Sequence, residues 1–226
     1  MPQMKTIAIV PAAGSGKRLG SRTKKPFVLL GGKPLVTYAL KALDSCKYID
    51  GIIVAAERSC VGRFRRLVRE SGFKKVIAVV AGGSTRSGSV RKCLKRVPPS
   101  YDTVLIHDGA RPFVDDKTVK ESIGFARRYG ACVVAIPEND TVKFSDGRRL
   151  FVSKTLERNR VFRAQTPQAF RRDVIDKAYA SGDFSHATDD ASLAESIGAR
   201  VRILYGSNRN IKVTTKEDLK FAEVLL

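Results

Sequence analysis

The residues best suited to chemistry fall in three short segments. The first runs Pro11-Ala12-Ala13-Gly14-Ser15-Gly16-Lys17-Arg18-Leu19-Gly20, with Lys24 and Lys25 close behind. Glycines expose backbone N–H groups, and four nearby cations suit an anionic ligand, so the segment reads as a phosphate-binding loop. It is neither of the two common nucleotide loops. A Walker loop needs glycine where Pro11 stands and Ser or Thr where Arg18 stands. The dinucleotide fingerprint needs its third glycine one residue before Gly20. This many basic side chains fit a triphosphate better than a pyrophosphate diester. The second segment is His107-Asp108-Gly109-Ala110-Arg111-Pro112. A carboxylate at the end of a central strand can face magnesium, and Arg111 can grip a phosphate. Taken alone, it reads as a surface Asp–Arg pair. The third is GGSTRSGSV at 82–90. Gly82-Gly83 lets backbone approach a flat ligand, and Ser89 can donate or accept; by itself it is a turn and helix cap.

Something must bring these segments to one edge. Apolar β-type runs alternate with helical patterns through most of the 226 residues. Strands are expected at 6–10, 51–56, 76–80, 103–107 and 131–136. Helices are expected at 35–43 (with Pro34 in its first turn), 61–70, 87–96 and 116–129. Strands without alternation are buried on both faces, which predicts an α/β fold: a Rossmann-like three-layer sandwich around a mostly parallel sheet. Residues 138–160 break the rhythm. Asp146-Gly147 lies there between short alternating segments and signals a hairpin, so this stretch reads as a β-arm projecting from a single domain spanning 1–226. Helices at 173–180, 189–197 and 216–225 and a strand at 201–204 complete the expected order.

Composition removes other classes. Hydrophobic residues make up 43% and charged residues 28%, enough for a packed core. No apolar run approaches the ~18–20 residues of a membrane span, and the N-terminus lacks a signal-peptide layout, so a cytoplasmic location is expected. The cysteines at 46, 60, 93 and 132 form no CxxC pair, and His107 and His186 are too few for a triad or a histidine-rich metal site. His107 reads as a packing residue at a strand end. The formal charge is +20. That suits nucleic acid or polyanionic small substrates, but the basic residues come in scattered pairs with no aromatic RNA-binding motif.

The three segments, with ENDTVK at 138–143, RNRVFRAQTPQAF at 158–170, ATDDAS at 187–192 and NIKVT at 210–214, occur in an order that resembles the 2-C-methyl-D-erythritol 4-phosphate cytidylyltransferase family over nearly the whole chain. The sequence departs from the family pattern at Pro26-Phe27, Ser84 and Gly109. The resemblance implies a fold of the nucleotide-diphospho-sugar transferase type. It implies attack by the phosphate of methylerythritol phosphate on the α-phosphorus of CTP, with a divalent cation, Mg2+ or another. It assigns Arg18 and Lys25 to the pentacoordinate phosphate, and Arg158 and Lys212 to positioning the acceptor. Asp108, Arg111, Thr141, Thr166 and Thr188 match the rest of the substrate pocket, with Asp108 the one candidate metal contact beside the CTP phosphates. Ala12, Ala13, Gly14, Ser15, Gly83, Ser84, Ser89 and Gly109 match the cytidine cradle. The resemblance further implies a homodimer whose arms, 138–160, complete each other's sites; the short apolar runs argue against a membrane partner and the scattered basic pairs against nucleic acid. Two rivals remain: a cytidylyltransferase for ribitol 5-phosphate or another polyol phosphate, and a basic nucleic-acid-binding protein.

Overall fold

The computed structural model describes residues 4–14, 16–20, 23–147, 149–180 and 187–226. Ser15 and His186 lie outside the described residues. In chain order the elements begin with β1 (Lys5–Ala12), β2 (Leu29–Leu30), β3 (Lys33–Pro34), α1 (Leu35–Ser45), β4 (Gly51–Ala56), α2 (Val61–Glu70), β5 (Val76–Ala81) and α3 (Arg86–Leu94). The chain continues through β6 (Tyr101–Ile106), α4 (Asp116–Tyr129), β7 (Ala131–Pro137), β8 (Lys143–Ser145), β9 (Val152–Thr155) and β10 (Phe162–Arg171). It ends with α5 (Arg172–Ala180), α6 (Asp190–Ser196), β11 (Val201–Tyr205) and α7 (Lys216–Val224).

Seven strands form one sheet in the order β11-β7-β10-β6-β1-β4-β5. All neighbours pair in parallel except β10, which runs antiparallel to both β6 and β7. The expected mostly parallel α/β sheet is present. Consecutive residues of β1 show why both faces are covered. Ala8 and Val10 point into a core with Val36, Leu40, Phe64 and Ile123, from α1, α2 and α4. Ile7 and Ile9 point into another with Val90, Cys93, Ile175 and Leu193, from α3, α5 and α6. Side chains alternate across a strand, so an unbroken apolar run feeds two cores at once. A third, smaller cluster places α7 beside the cleft end of the sheet, through Leu19, Leu35, Val213 and Ala222.

Local chemistry sets the helix ends. The side chains of Thr85, Asp115, Asp189 and Thr215 each accept a hydrogen bond from a first-turn N–H of the helix that follows. Gly130, at φ 96°, closes α4 in a conformation that glycine tolerates best. Pro34 sits at the N-cap of α1, one place before the expected first turn. β2 and β3 form a tight hairpin absent from the sequence reading; its Gly31 and Gly32 both have positive φ, as a primed turn requires.

The larger difference is β10, also absent from that reading. Its centre is Gln165-Thr166-Pro167-Gln168. A proline and three polar residues disguise a central strand, and the β7 register shifts between Ala164 and Gln168 to accommodate them. The arm is the expected hairpin, β8 against β9, with Phe144, Leu150, Phe151 and Val152 exposed. Among the described residues no helix is long and apolar enough to cross a membrane.

Candidate active site

A cleft of about 660 Å³ opens at the carboxyl ends of β1, β5 and β6, where α/β sheets bind ligands. Its walls include Ala12, Ala13, Gly14, Gly83, Ser84, Ser89 and Gly109. Its charged residues are Arg18, Lys24, Lys25, Arg86 and Lys212 against Glu57 and Asp108, five cations to two carboxylates. Such a surplus attracts a polyanion and holds it in place.

Glycines allow the three segments to meet. A Cβ on Gly16, which has φ +70°, would lie 2.6 Å from the Lys25 Cβ, so the loop folds back onto Lys25 only with glycine there. A Cβ on Gly82 would lie 2.7 Å from the Ala13 Cβ, where the first and third segments touch. Ser89 is buried, and its hydroxyl is already engaged: Oγ donates to the Thr85 carbonyl at 2.9 Å and accepts the Gly83 N–H at 3.0 Å. It shapes the loop rather than offering a free donor.

Asp108 is the hub. Its Oδ1 accepts from Arg86 Nε at 3.1 Å, and its Oδ2 pairs with Lys212 Nζ at 2.7 Å. Burial alone would raise its carboxyl pKa, but the cations Arg86, Lys212 and Arg111 overcome this and hold it well below the usual range. Lys25 shows the reverse. Burial, with Lys212 and Arg18 repelling its charge, brings its ammonium from 10.5 to about 8.

Behind the cleft, Thr166 accepts the Asp108 N–H at 3.0 Å and lies 3.1 Å from His107 Nδ1. His107 Nε2 lies 3.0 Å from the Arg111 carbonyl, which can only accept. The proton therefore sits on Nε2, and the Thr166 hydroxyl donates to Nδ1. Burial drives the His107 pKa down to about 4, so the ring is neutral and structural. Arg111 is buried and does not line the cleft; its Nη1 donates to the Asn210 carbonyl at 2.6 Å. Asn210 Nδ2 donates to the Thr166 carbonyl at 2.8 Å, and the Val213 N–H to the Ala110 carbonyl at 2.9 Å. Arg111 and Thr166 thus anchor the segment that carries Lys212.

Three predicted residues lie elsewhere. Thr141 and Arg158 sit at the two ends of the arm, exposed, with Arg158 donating to the Asn139 carbonyl at 2.8 Å. Thr188 is exposed ahead of α6. None of the three lines this chain's own cleft. Conversely, the short motifs around Arg86 and Asp190 assign neither residue a role. Arg86 also donates to Asp190 Oδ2 at 2.6 Å, 104 positions away. Two adjacent aspartates in ATDDAS, one more than a helix cap needs, were the available signal. Lys24 and Glu57 pair at 2.9 Å in the cleft wall, and the sequence signals only the lysine. Among the described residues no cluster of three or more His, Cys, Asp or Glu could hold a metal by itself.

Comparison with known proteins agrees with this architecture. Residues 6–226 match the family model described as 2-C-methyl-D-erythritol 4-phosphate cytidylyltransferase. A relative of that name from Syntrophus aciditrophicus is 43% identical over 227 residues, covering 98% of this chain and 96% of its own. Another from Geobacillus thermodenitrificans is 43% identical over 221 residues, covering 97% and 96%. The crystal structure of 4-diphosphocytidyl-2C-methyl-D-erythritol synthase from Anaerococcus prevotii superposes with a TM-score of 0.86 at 31% identity, covering 98% of this chain and 97% of that one. Near-complete coverage in both directions joins a cleft built from the same ordered motifs, and the chain belongs to the 2-C-methyl-D-erythritol 4-phosphate cytidylyltransferase family.

Proposed function

We propose that this enzyme transfers CMP from CTP to 2-C-methyl-D-erythritol 4-phosphate, releasing pyrophosphate. The observation that carries the reading is the five-cation cleft of Arg18, Lys24, Lys25, Arg86 and Lys212 at the sheet's carboxyl edge, in a chain of this family. A phosphate monoester has its second pKa near ~6, so the attacking oxygen needs no general base at neutral pH. The barrier lies in bringing two polyanions together in line and stabilising the charge of the transition state. Arg18 and Lys25 face that charge. Lys212, presented by Asp108, meets the acceptor phosphate. The loop of Ala12, Ala13 and Gly14, with Gly83, Ser84 and Gly109, cradles the cytidine.

A divalent cation fits the donor set. Asp108 and Glu57 are the carboxylates in the cleft wall, and magnesium is commonly held by one or two carboxylates plus substrate phosphates. Asp108 would hold it together with the CTP phosphates, where it would supply charge neutralisation.

The arm is assigned to a second copy of the chain. An isolated two-stranded hairpin is marginal in water, and this one exposes Phe144, Leu150 and Phe151. Seated on a partner, it would carry Thr141 and Arg158 toward the partner's cleft within a homodimer of single-domain subunits. A cytoplasmic location follows from the nucleotide substrate. The deciding experiment is pyrophosphate release from CTP with methylerythritol phosphate, ribitol 5-phosphate and other polyol phosphates. Preference for ribitol 5-phosphate would overturn the acceptor assignment.

A further inference from the structure

Arg86 enters the cleft wall from the first turn of α3, yet its guanidinium is tied to two carboxylates from other parts of the fold. Nε donates to Asp108 and Nη1 to Asp190. Asp190 is fully buried, and its second oxygen accepts from the Tyr179 hydroxyl at 2.5 Å. Asp190 is itself held. The Gln168 Oε1 on β10 accepts the N–H groups of Asp190 and Ala191 at 3.1 and 2.9 Å, fixing the start of α6. An unbroken path therefore runs Tyr179–Asp190–Arg86–Asp108–Lys212, linking α5 and α6 to the ammonium at the cleft. A buried carboxylate with both oxygens engaged is expensive to move, because its partners would be left unpaired.

We propose that Arg86 is a positioning residue for the transfer reaction: anchored by Asp190 and Tyr179, it sets the place of Asp108 and, through it, of the Lys212 ammonium. The inference rests on the reading that Lys212 meets the acceptor phosphate. Two geometric facts support it. Arg86 divides the Asp108 carboxylate with Lys212, one oxygen each, so Lys212 is not the sole counter-ion and can be given up to an incoming phosphate. The planar guanidinium also reaches two carboxylates in fixed directions, which a single lysine ammonium cannot do. Asp190 is not among the residues lining the cleft, and its side chain reaches a cleft-lining residue at Arg86.

The test measures kcat and both KM values for Asp190→Asn and Arg86→Lys, each alone and combined with Lys212→Ala, using labelled CTP and long endpoints to read slow rates. Each single variant should lower kcat about 10- to 100-fold, the scale of a displaced reactive group, and leave the KM for CTP nearly unchanged. On the Lys212→Ala background, the same changes should add no more than about 2-fold, the error of additivity. Equal losses on both backgrounds, or unchanged kcat in the folded single variants, would overturn the inference. If Asp190→Asn fails to fold by circular dichroism, Arg86→Lys carries the comparison, since it keeps the charge. Full activity in Lys212→Ala alone would instead overturn the underlying reading of Lys212.

Discussion

Lys25 should be costly to the fold and necessary to the reaction, and the two effects have opposite signs. Its pKa falls from 10.5 to about 8 in the folded protein, chiefly through burial and then through Lys212 and Arg18. At pH 7 it is still charged in both folded and unfolded chains, but the folded site disfavours that charge. Converting the full shift at ~1.4 kcal/mol per unit sets an upper bound of about 3 kcal/mol. Lys25 is only partly buried, and solvent screening reduces this to about 1–2 kcal/mol. Lys25→Met keeps most of the side-chain volume and removes the charge. It should therefore unfold at higher urea than the parent protein at pH 7. The sign of the pH dependence follows. Between pH 8 and 10.5 the unfolded chain binds more protons at this group, so the parent gains stability as pH rises. The advantage of the variant should be full below pH 8 and fall to less than half by pH 10. In the same variant, turnover should drop about 10²–10³-fold, the scale of one lost transition-state contact. For the parent, kcat/KM should decline on an alkaline limb centred near pH 8, and kcat should decline later because bound phosphates favour the charged form. Equilibrium urea curves at pH 7 and 10, with pyrophosphate-release kinetics, test this together. A variant less stable than the parent at pH 7, or a stability difference independent of pH, would falsify the argument.

Other outcomes follow from the same geometry. Arg18→Ala should lower kcat about 10²–10³-fold with an unchanged thermal midpoint, since its side chain is exposed at the cleft mouth. His107 is buried and neutral, with a pKa of about 4 against 6.5 in the unfolded chain. Its stabilising contribution is complete above pH 6.5 and is lost as pH falls toward 4, by about 3 kcal/mol; His107→Gln should flatten the acid limb of denaturation curves in that window. If the proposed cradle receives the cytosine amino group on backbone carbonyls, CTP should be used in strong preference to UTP, whose uracil oxygen would leave those carbonyls unpaired; equal rates in pyrophosphate release would refute that part of the cradle. Light scattering should give about twice the chain mass, and an Arg18→Ala subunit mixed with an Arg158→Ala subunit should regain activity, since one hybrid site escapes both changes only if Arg158 acts across the interface.

Much of the frame was legible because its causes are local. Gly51–Ala56, Val61–Glu70 and Asp116–Tyr129 begin and end where apolar runs and helical periodicity placed them, and Asp115 and Gly130 cap the last of these. The first loop was legible as part of the cleft for a similar reason: its glycines and the cations Arg18, Lys24 and Lys25, which line the cleft, all fall within residues 14–25. β10 was hidden. Its polar centre belongs inside a sheet only because Gln168 meets Asp190 and Ala191, and Thr166 meets Asp108 and His107, partners that no short window contains. Arg111 looked like a phosphate grip from its place three residues after Asp108; the fold adds a partner no short window shows, the Asn210 carbonyl 99 positions away, which accepts from its Nη1. Arg86 looked like part of a turn, and its two carboxylates stand 22 and 104 positions off. Periodicity and caps are short-range and survive in one dimension. The pairing of buried polar groups is decided by which donors and acceptors the packed layers bring within 3 Å, and in this protein that pairing determines how Asp108 presents Lys212 to the cleft.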